Sequence, residues 1–274
     1  MLNDNTLSAA IVLYENLYDE VLTVVTSFFN SEKGSKLFLI DNSPTDKLRS
    51  VASRDPRIEY VHDPRNTGYI AHNQAIQKSI DQGFKYHVVL NPDLEFDPSI
   101  FSKIIGFMDD KPDVGLLIPK VFYPDGRLQY ACKLLPTPAD FFLRVILPRS
   151  WSGKIMTSFD LRFSGYDEVM DAPYMSGCFM FLRNSTLRET GLFDERFFMY
   201  AEDIDLSRRI YTHSRSVFYP EVSIVHRHTA ASYRSFKLFR IHFKNVCLYF
   251  NKYGWFFDKQ RRSVNRKVLA QFKS

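Results

Sequence analysis

Apolar residues in the first half of the chain form short runs that alternate with longer segments in which they recur every three or four positions. The short runs predict buried strands and the longer segments predict amphipathic helices. The predicted strands cover residues 8–14, 37–40, 58–61, 86–90 and 114–118. The predicted helices cover residues 17–30 and 71–82, with a third that starts at Asp97-Pro98 as N-cap and first residue. This alternation predicts an α/β fold, with a mostly parallel central sheet flanked by helices.

The second half of the chain is less regular. Residues 122–170 contain four prolines, and we interpret this segment as an excursion over the functional face of the sheet. Later segments predict strands over 174–182 and 222–225, helices over 184–191 and 202–211, and a final helix over 236–250. One face of that final helix carries an apolar stripe and another carries basic side chains. The stripe consists of Phe236, Phe239, Phe243, Val246 and Phe250, and the basic face of Lys237, Arg240 and Lys244.

Length and charge indicate one domain with an extension. A chain of 274 residues with 45% apolar and 24% charged residues has an ordinary globular composition. Residues 233–274 contain eleven Lys or Arg and one acid, so this segment carries +10 and the remainder −5. We therefore predict a domain over 1–232, with a first half to about 120 and a second half over 121–232. A basic helical tail over 233–274 follows.

The sequence also bears on location. The three cysteines are far apart and form neither a disulfide framework nor a metal motif. Residues 1–5 are polar and no apolar run approaches the roughly 20 residues that span a bilayer. We expect a cytoplasmic protein. The tail has two interpretations, a helix packed on the core or a peripheral contact with the anionic inner face of the cell membrane.

Polar residues that follow predicted strands are candidates for chemistry. Asn91 and Asp93 come directly after the run 86–90, where a carboxylate can hold a hard divalent cation beside substrate phosphates. The same residues with Pro92 also make a good turn. Asp41 and Asn42 follow another strand and could accept from a nucleobase or a sugar hydroxyl, or form an Asx-turn.

Three further candidates lie in other parts of the chain. Three acids occupy residues 202–205 at a predicted helix start, where they complement the helix dipole. The aromatic residues before them would also desolvate a carboxylate and raise its pKa toward that of a general base. His226 ends the strand 222–225 and is either a metal ligand or a surface histidine. Asn66, Gly68 and Asn73 form a weaker candidate for binding phosphate or base.

Taken in order, these features resemble the family-2 inverting glycosyltransferases of GT-A fold. More narrowly, they look like the rhamnosyltransferase-type members that build bacterial O-antigen and other surface polysaccharides. The carrying segments are residues 10–14, 41–43, 66–68, 73, 90–93, 176–179, 191–194, 198–206 and 226. The first position of the family's Asp-X-Asp motif is Asn91 here, which leaves its ribose contact less certain.

The resemblance implies roles for the candidate residues. Asp41, Asn42, Asn66, Gly68, Asn73, Asn91 and Asp93 would bind the donor. Asp93 and His226 would hold Mg²⁺ or Mn²⁺, and Asp203 would be the catalytic base with Glu202 orienting it. Gly177, Tyr200 and Glu202 would meet the acceptor.

The resemblance also implies partners. The donor would be a nucleotide-diphosphate sugar, best matched by dTDP-L-rhamnose with a UDP-sugar as alternative, and the acceptor a saccharide, often lipid-diphosphate-linked. No nucleic-acid partner is expected. The tail alone leaves open a basic nucleic-acid-binding protein, and an inactive scaffold of the same fold is a further alternative.

Overall fold

The computed structural model describes residues 5–31, 34–141, 157–227 and 236–273. The strands in these ranges are β1 (Leu7–Leu13), β2 (Gly34–Asp41), β3 (Ile58–His62), β4 (Tyr86–Leu90), β5 (Leu94–Phe96), β6 (Val114–Phe122), β7 (Leu128–Gln129), β8 (Cys132–Lys133), β9 (Met170–Asp171), β10 (Tyr174–Met175), β11 (Phe179–Arg183) and β12 (Arg215–His226). The α-helices are α1 (Tyr18–Phe29), α2 (His72–Asp81), α3 (Ile100–Asp110), α4 (Asn184–Thr190), α5 (Glu202–His213), α6 (Phe236–Tyr253) and α7 (Lys259–Ala270). Short 3₁₀ turns lie at Lys47–Arg54, Gly68–Ala71 and Arg162–Ser164.

The central sheet has the strand order β3-β2-β1-β4-β11-β6-β12-β5. Strands β1 to β4 are parallel neighbours, and β12 runs parallel to β6. β11 enters antiparallel between β4 and β6, and β5 is antiparallel to β12. The predicted α/β fold with a mostly parallel sheet is therefore confirmed. Because parallel strands end at one edge, the residues after β2 and β4 lie on the same side of the sheet.

The predicted helices pack on the sheet through the faces that their apolar residues define. Val21, Val24 and Phe28 of α1 are buried as expected, whereas Leu17 is 75% exposed because it precedes the helix. Ile100, Ile104, Ile105 and Met108 of α3 are also buried. The predicted N-cap is corrected: α3 begins at Ile100 with Ser99 as its N-cap, two residues after Asp97, whose carboxylate accepts a hydrogen bond from the Ser99 amide in the preceding turn.

The structure corrects the prediction of one strand over 174–182. That segment is divided into β10, which pairs with β8 in a separate two-stranded sheet, and β11 in the central sheet. Residues 176–178 connect them, and Gly177 is in this connection. A second correction concerns the strand over 222–225, which is only the end of the twelve-residue β12. Apolar periodicity could not detect either feature because a sheet change keeps the chain extended and buried.

The C-terminal segment packs against α5 and the residues just before it. Val246 and Phe250 of α6 are buried with Phe197, Ala201 and Ile204, whereas Phe236, Phe239 and Phe243 are exposed. The apolar stripe is therefore buried only in its second half. Helix α7 was not predicted separately. The sequence also predicts an apolar surface near the acceptor, formed by Phe141, Phe142, Leu143, Val145, Ile146 and Leu147; of these residues, all but Phe141 lie outside the described ranges. None of the helices in the described ranges is long and apolar enough to cross a membrane.

Candidate active site

The end of β12 lies beside the residues that follow β4. β5 pairs antiparallel with β12, with His226 opposite Leu94, and the amide of Arg227 donates to the carbonyl of Asp93. This pairing places His226 Nε2 at 3.3 Å from Asp93 Oδ1 and at 3.3 Å from Asn91 Nδ2. Three residues from two distant parts of the sequence therefore converge at the carboxyl edge of the sheet.

Gln129 of β7 fixes the orientation of the His226 ring. Its side-chain oxygen lies 3.0 Å from His226 Nδ1, and its amide nitrogen donates to the carbonyl of His226. Nε2 of His226 therefore faces Asp93. Gln129 thus occupies the position of the residue that orients a metal-ligating histidine through its other ring nitrogen. Burial lowers the pKa of His226, but the neighbouring Cys178 and Asp93 outweigh this and raise it to about 10. Sequence analysis did not identify Gln129.

The donor set suits a divalent cation held jointly by protein and substrate. Among the residues that the structure describes, no group of three or more His, Cys, Asp or Glu side chains could hold a metal ion. Asp93 and His226 nevertheless place an oxygen and a nitrogen 3.3 Å apart, on side chains that are 18% and 6% exposed. Mg²⁺ is commonly bound by one or two carboxylates with substrate phosphates completing the shell. These residues fit such a shared site.

Asp203 lies in the first turn of α5, after two residues with strained backbone. Tyr200 and Ala201 have φ of +70° and +72°, which non-glycine residues seldom adopt and which concentrate at functional sites. The Asp203 carboxylate accepts hydrogen bonds from the amides of Gly177 (3.0 Å) and Ile204 (2.8 Å). Burial raises its pKa, and the Gly177 amide partly offsets this by stabilising the ionised form.

Glu202 is far more enclosed than its neighbour. Its side chain is 4% exposed, and Oε2 has no hydrogen-bond partner. Burial first, and the charge of Asp203 second, raise the pKa of Glu202 well above its usual value. The two acids thus differ in their surroundings: Glu202 is enclosed, and Asp203 accepts hydrogen bonds through both carboxylate oxygens. Because Glu202 is only 4% exposed, little of its side chain is accessible to an acceptor. The predicted acceptor contact of Glu202 stays a prediction.

Residues 177 and 178 connect Asp203 to Asn91 and His226. The Gly177 amide donates to Asp203, and the next residue, Cys178, contacts His226 and accepts from the amide of Asn91 at 2.9 Å. The Tyr69 hydroxyl donates to the Gly177 carbonyl on the other side. A Cβ at Gly177 would lie 2.8 Å from the Tyr69 oxygen, so glycine is needed for this close approach. Sequence analysis missed Tyr69 because its partner is 108 residues away.

Asp41 and Asn42 lie at the end of β2, at the same sheet edge. Asp41 is fully buried and accepts from the Ser43 amide at 2.9 Å and the Tyr60 hydroxyl at 2.5 Å. Asn42 donates to the carbonyl of Gly68, and its Oδ1 has no partner. Asp41 therefore forms the Asx-turn that we considered, and that geometry leaves a donor-base contact as a prediction.

The other predicted donor residues have packing roles in the structure. Gly68 has φ +73°, and a Cβ there would lie 2.2 Å from the carbonyl oxygen of Phe198. Asn66 accepts from the Gly68 amide through Oδ1. Both amide atoms of Asn73 are used by the backbone of Phe193, at 2.8 and 3.0 Å. Gly68 and Asn73 thus support the segment before Asp203, and their donor contacts stay predictions.

Tyr200, the remaining acceptor candidate, is packed against helix α6. Its ring centroid lies 4.7 Å from that of His242, and the Asn245 side chain donates to the carbonyl of Met199 at 2.6 Å. Further along, Lys252 pairs with Asp205, the third acid of α5, at 2.6 Å. The C-terminal segment therefore contacts both α5 and the residues just before it.

Residues 8–186 match the family model described as "Glycosyl transferase family 2", which is well over half of the chain. The chain belongs to this family. The resemblance to family-2 glycosyltransferases inferred from the sequence is thus confirmed. The match ends before Asp203 and His226, so the placement of these two residues rests on the geometry above.

Characterised relatives of this family-2 glycosyltransferase act in glycan assembly. It is 26% identical over 207 residues to the N-acetylglucosaminyl-diphospho-decaprenol L-rhamnosyltransferase of Mycobacterium tuberculosis. The aligned residues cover 72% of this chain and 67% of the relative. It is 24% identical over 221 residues to the low-salt glycan biosynthesis hexosyltransferase Agl10 of Haloferax volcanii, covering 76% and 66%.

Solved structures confirm the GT-A fold. The crystal structure of GalNAc-T7 with UDP, GalNAc and Mn²⁺ superposes with a TM-score of 0.59 at 16% identity, covering 82% of this chain and 44% of that one. Staphylococcus aureus TarS gives 0.56 at 13% identity, covering 98% and 43%. This family-2 glycosyltransferase thus spans less than half of each of those chains, and at such identities the likeness concerns the fold alone.

Proposed function

We propose that this protein transfers one sugar from a nucleotide-diphosphate donor to an acceptor hydroxyl by single displacement with inversion. The observation that carries the proposal is the Gly177-Cys178 connection, which contacts Asp203 on one side and the Asn91–His226 pair on the other. The carboxylate for the acceptor hydroxyl therefore contacts Gly177, and the polar cluster for the departing diphosphate contacts the next residue, Cys178. Displacement needs these two groups on opposite sides of the reacting carbon.

Asp203 is the catalytic base in this proposal. An acceptor hydroxyl is a poor nucleophile until a carboxylate takes its proton, and a base works best when its pKa approaches the operating pH. Burial raises the pKa of Asp203, whereas the amides of Gly177 and Ile204 favour the ionised form. The balance keeps the group ionisable and basic. Burial also raises the pKa of the neighbouring Glu202, which disfavours a second charge beside the base.

Asp93 and His226 would hold Mg²⁺ or Mn²⁺. A divalent cation there would neutralise the charge that develops on the leaving nucleoside diphosphate. The chain's own contribution is to orient these ligands, through Gln129 on His226 and through the β5–β12 pairing on Asp93. Mn²⁺ in the GalNAc-T7 structure supports a divalent ion on this fold.

The proposed donor is dTDP-L-rhamnose and the proposed acceptor a lipid-diphosphate-linked saccharide of bacterial surface polysaccharide, such as O-antigen or capsule. The mycobacterial relative's name supports both, since it specifies an L-rhamnosyl group and a diphospho-decaprenol acceptor. A UDP-sugar is the alternative donor, which the UDP in the GalNAc-T7 structure supports.

A membrane-associated acceptor fits the exposed half of α6. Phe236, Phe239 and Phe243 recur at helical spacing and are 77%, 36% and 49% exposed. The basic residues Lys237, Arg240 and Lys244 of the same half are exposed as well. Aromatic rings beside cations suit the interface of an anionic leaflet, where each cation contributes about 1 kcal/mol. We propose peripheral contact there, while the buried half of α6 keeps the helix attached to the enzyme.

A thermal-shift screen of dTDP-, UDP- and GDP-sugars, with and without Mn²⁺, tests the proposal. We expect dTDP-rhamnose with Mn²⁺ to stabilise the protein most. Asp93→Ala should abolish the Mn²⁺-dependent part. Glu95→Ala is the matched control. It removes a carboxylate two residues away, and that carboxylate forms an exposed ion pair with Arg227.

Unchanged Mn²⁺ dependence in Asp93→Ala would contradict the ligand assignment. Donor binding without transfer to any acceptor would favour an inactive scaffold. Salt-sensitive binding of DNA or RNA with no donor binding would favour a nucleic-acid-binding protein.

A further inference from the structure

A cavity of about 690 Å³ lies between residues 137–139 and the start of the last helix, α7. Four cations line it: Arg261, Arg262, Arg266 and Lys273. Trp255 and Phe256 contribute an aromatic wall, and Leu269 an aliphatic one. No Asp or Glu is among the described residues that line it. The cavity is therefore both strongly basic and partly apolar.

Arg261, the buried cation of the cavity, shares one counter-charge, the carboxylate of Asp258, with Arg208. Arg261 is 5% exposed, and its guanidinium donates to the backbone carbonyls of Pro136 (3.2 Å) and Trp255 (3.5 Å). The nearby carboxylate of Asp258 is already engaged by both terminal nitrogens of Arg208, at 2.7 and 2.8 Å. Two buried guanidinium groups thus depend on one carboxylate. Because buried charge is costly without a counter-charge, the cavity favours an anion.

Both the cations and the apolar wall restrict the kind of anion. Arginine forks match the oxygens of phosphate groups, which they bind bidentately. Phe256 and the adjacent Phe257 are 70% and 87% exposed, at the connection between α6 and α7. Large exposed aromatic side chains beside a phosphate-sized basic cavity suit a ligand whose phosphate continues into a hydrocarbon chain.

We propose that this cavity binds the phosphate or diphosphate group of a lipid, separately from the sugar-transfer site. The cavity residues are distinct from Asp93, His226 and Asp203, so the inference does not depend on the proposed transfer reaction. A bound lipid phosphate would supply a second counter-charge for Arg261 and would meet the exposed guanidinium groups of Arg262 and Arg266. Phe256 would contact the first part of the lipid chain.

The test measures binding by calorimetry, with EDTA present so that a diphosphate is not held by a cation at Asp93. The probes are farnesyl diphosphate, inorganic pyrophosphate, and vesicles of phosphatidylglycerol or of phosphatidylcholine. The variant Arg262→Ala/Arg266→Ala removes two exposed cations from the cavity. Its matched control is Lys259→Ala/Lys267→Ala, which removes two exposed cations from the same helix outside the cavity.

We expect wild-type protein to bind farnesyl diphosphate or phosphatidylglycerol vesicles, and the arginine variant to bind at least about tenfold more weakly. The lysine control should lose much less. Binding of farnesyl diphosphate alone would identify a lipid diphosphate as the ligand, and binding of the vesicles would identify a membrane headgroup. Phe256→Ser should weaken farnesyl diphosphate and leave pyrophosphate unchanged.

Equal losses in the two double variants would overturn the proposal, because they would reflect general surface charge. Pyrophosphate bound as tightly as farnesyl diphosphate would also overturn it, as would binding of neither lipid probe. Catalytic rates do not enter this measurement, so its failure is distinct from failure of the proposed transfer function.

Discussion

Gly68→Ala perturbs the close contact between Gly68 and Phe198, which lies in the segment before α5. In the left-handed region an L-residue costs about 1–2 kcal/mol, and Gly68 has φ +73°. The added Cβ would lie 2.2 Å from the Phe198 carbonyl oxygen, far inside van der Waals contact. One of the two segments must move, and the hydrogen bond from the Tyr69 amide to that oxygen, 2.9 Å long, would be broken. Losing this bond adds about 0.5–1.5 kcal/mol.

Gly83→Ala provides the matched control. Gly83 has φ +77°, and nothing lies within 4 Å of the position its Cβ would occupy. It therefore carries the backbone cost alone, and the change in the unfolded chain is the same in both variants. We expect Gly68→Ala to be destabilised by about 1 kcal/mol or more beyond Gly83→Ala.

Urea unfolding and sugar-transfer rates of the two variants form the assay. Movement of Phe198 displaces Asp203 five residues later, and a misplacement of about 1 Å can cost on the order of 100-fold in rate. We expect that loss in Gly68→Ala and a near wild-type kcat in Gly83→Ala. Equal stability and equal rates in the two variants would refute the assignment of Gly68 to this contact.

Three further predictions concern the same region. Asp205→Ala should cost about 3 kcal/mol in urea unfolding, since Asp205 is fully buried and pairs with Lys252; a loss below about 1 kcal/mol would contradict this. The pKa of Glu202 is raised by burial above its usual 4.5, so its folded state binds more protons and wild-type stability should fall as pH rises from there. Glu202→Gln should reduce that dependence in unfolding curves recorded across pH and leave the part due to Asp203, whose pKa burial also raises; identical slopes would be the contrary result. Tyr69→Phe removes the hydroxyl donor to Gly177 and should lower kcat about three- to tenfold with donor affinity retained, whereas an unchanged kcat would remove Tyr69 from the positioning network.

The sheet and the position of its functional edge could be predicted from local sequence. Apolar runs such as 86–90 have nowhere to lie but inside an α/β core, and all five residues of β4 are buried. Polar residues directly after such runs must lie at the strand ends, as Asp41 and Asn91 do. The parallel arrangement then brings those ends to one edge. No contact with another part of the chain had to be known for these predictions.

The contacts that assemble the site could not be predicted in this way. Tyr69 and Gly177 are far apart in sequence, and the positive φ of Tyr200 and Ala201 has no counterpart in their residue types. The two hydrogen bonds of Asn73 to the Phe193 backbone could not be predicted, because an amide that clamps a backbone and one that binds a nucleotide look alike in sequence. The aromatic stripe of α6 likewise gave no sign that only its second half is covered, because the covering residues belong to the loop before α5.

The roles of the individual site residues stay predictions, and that of Asp203 decides the mechanism. Donor affinity and kcat of Asp203→Asn, measured on the same preparation, test it most directly. We predict donor affinity close to wild type, since Asp203 faces Gly177 and not the Asp93–His226 pair, and a kcat lower by about 10²–10⁴. A kcat equal to that of the wild type would contradict the assignment of Asp203 as the base.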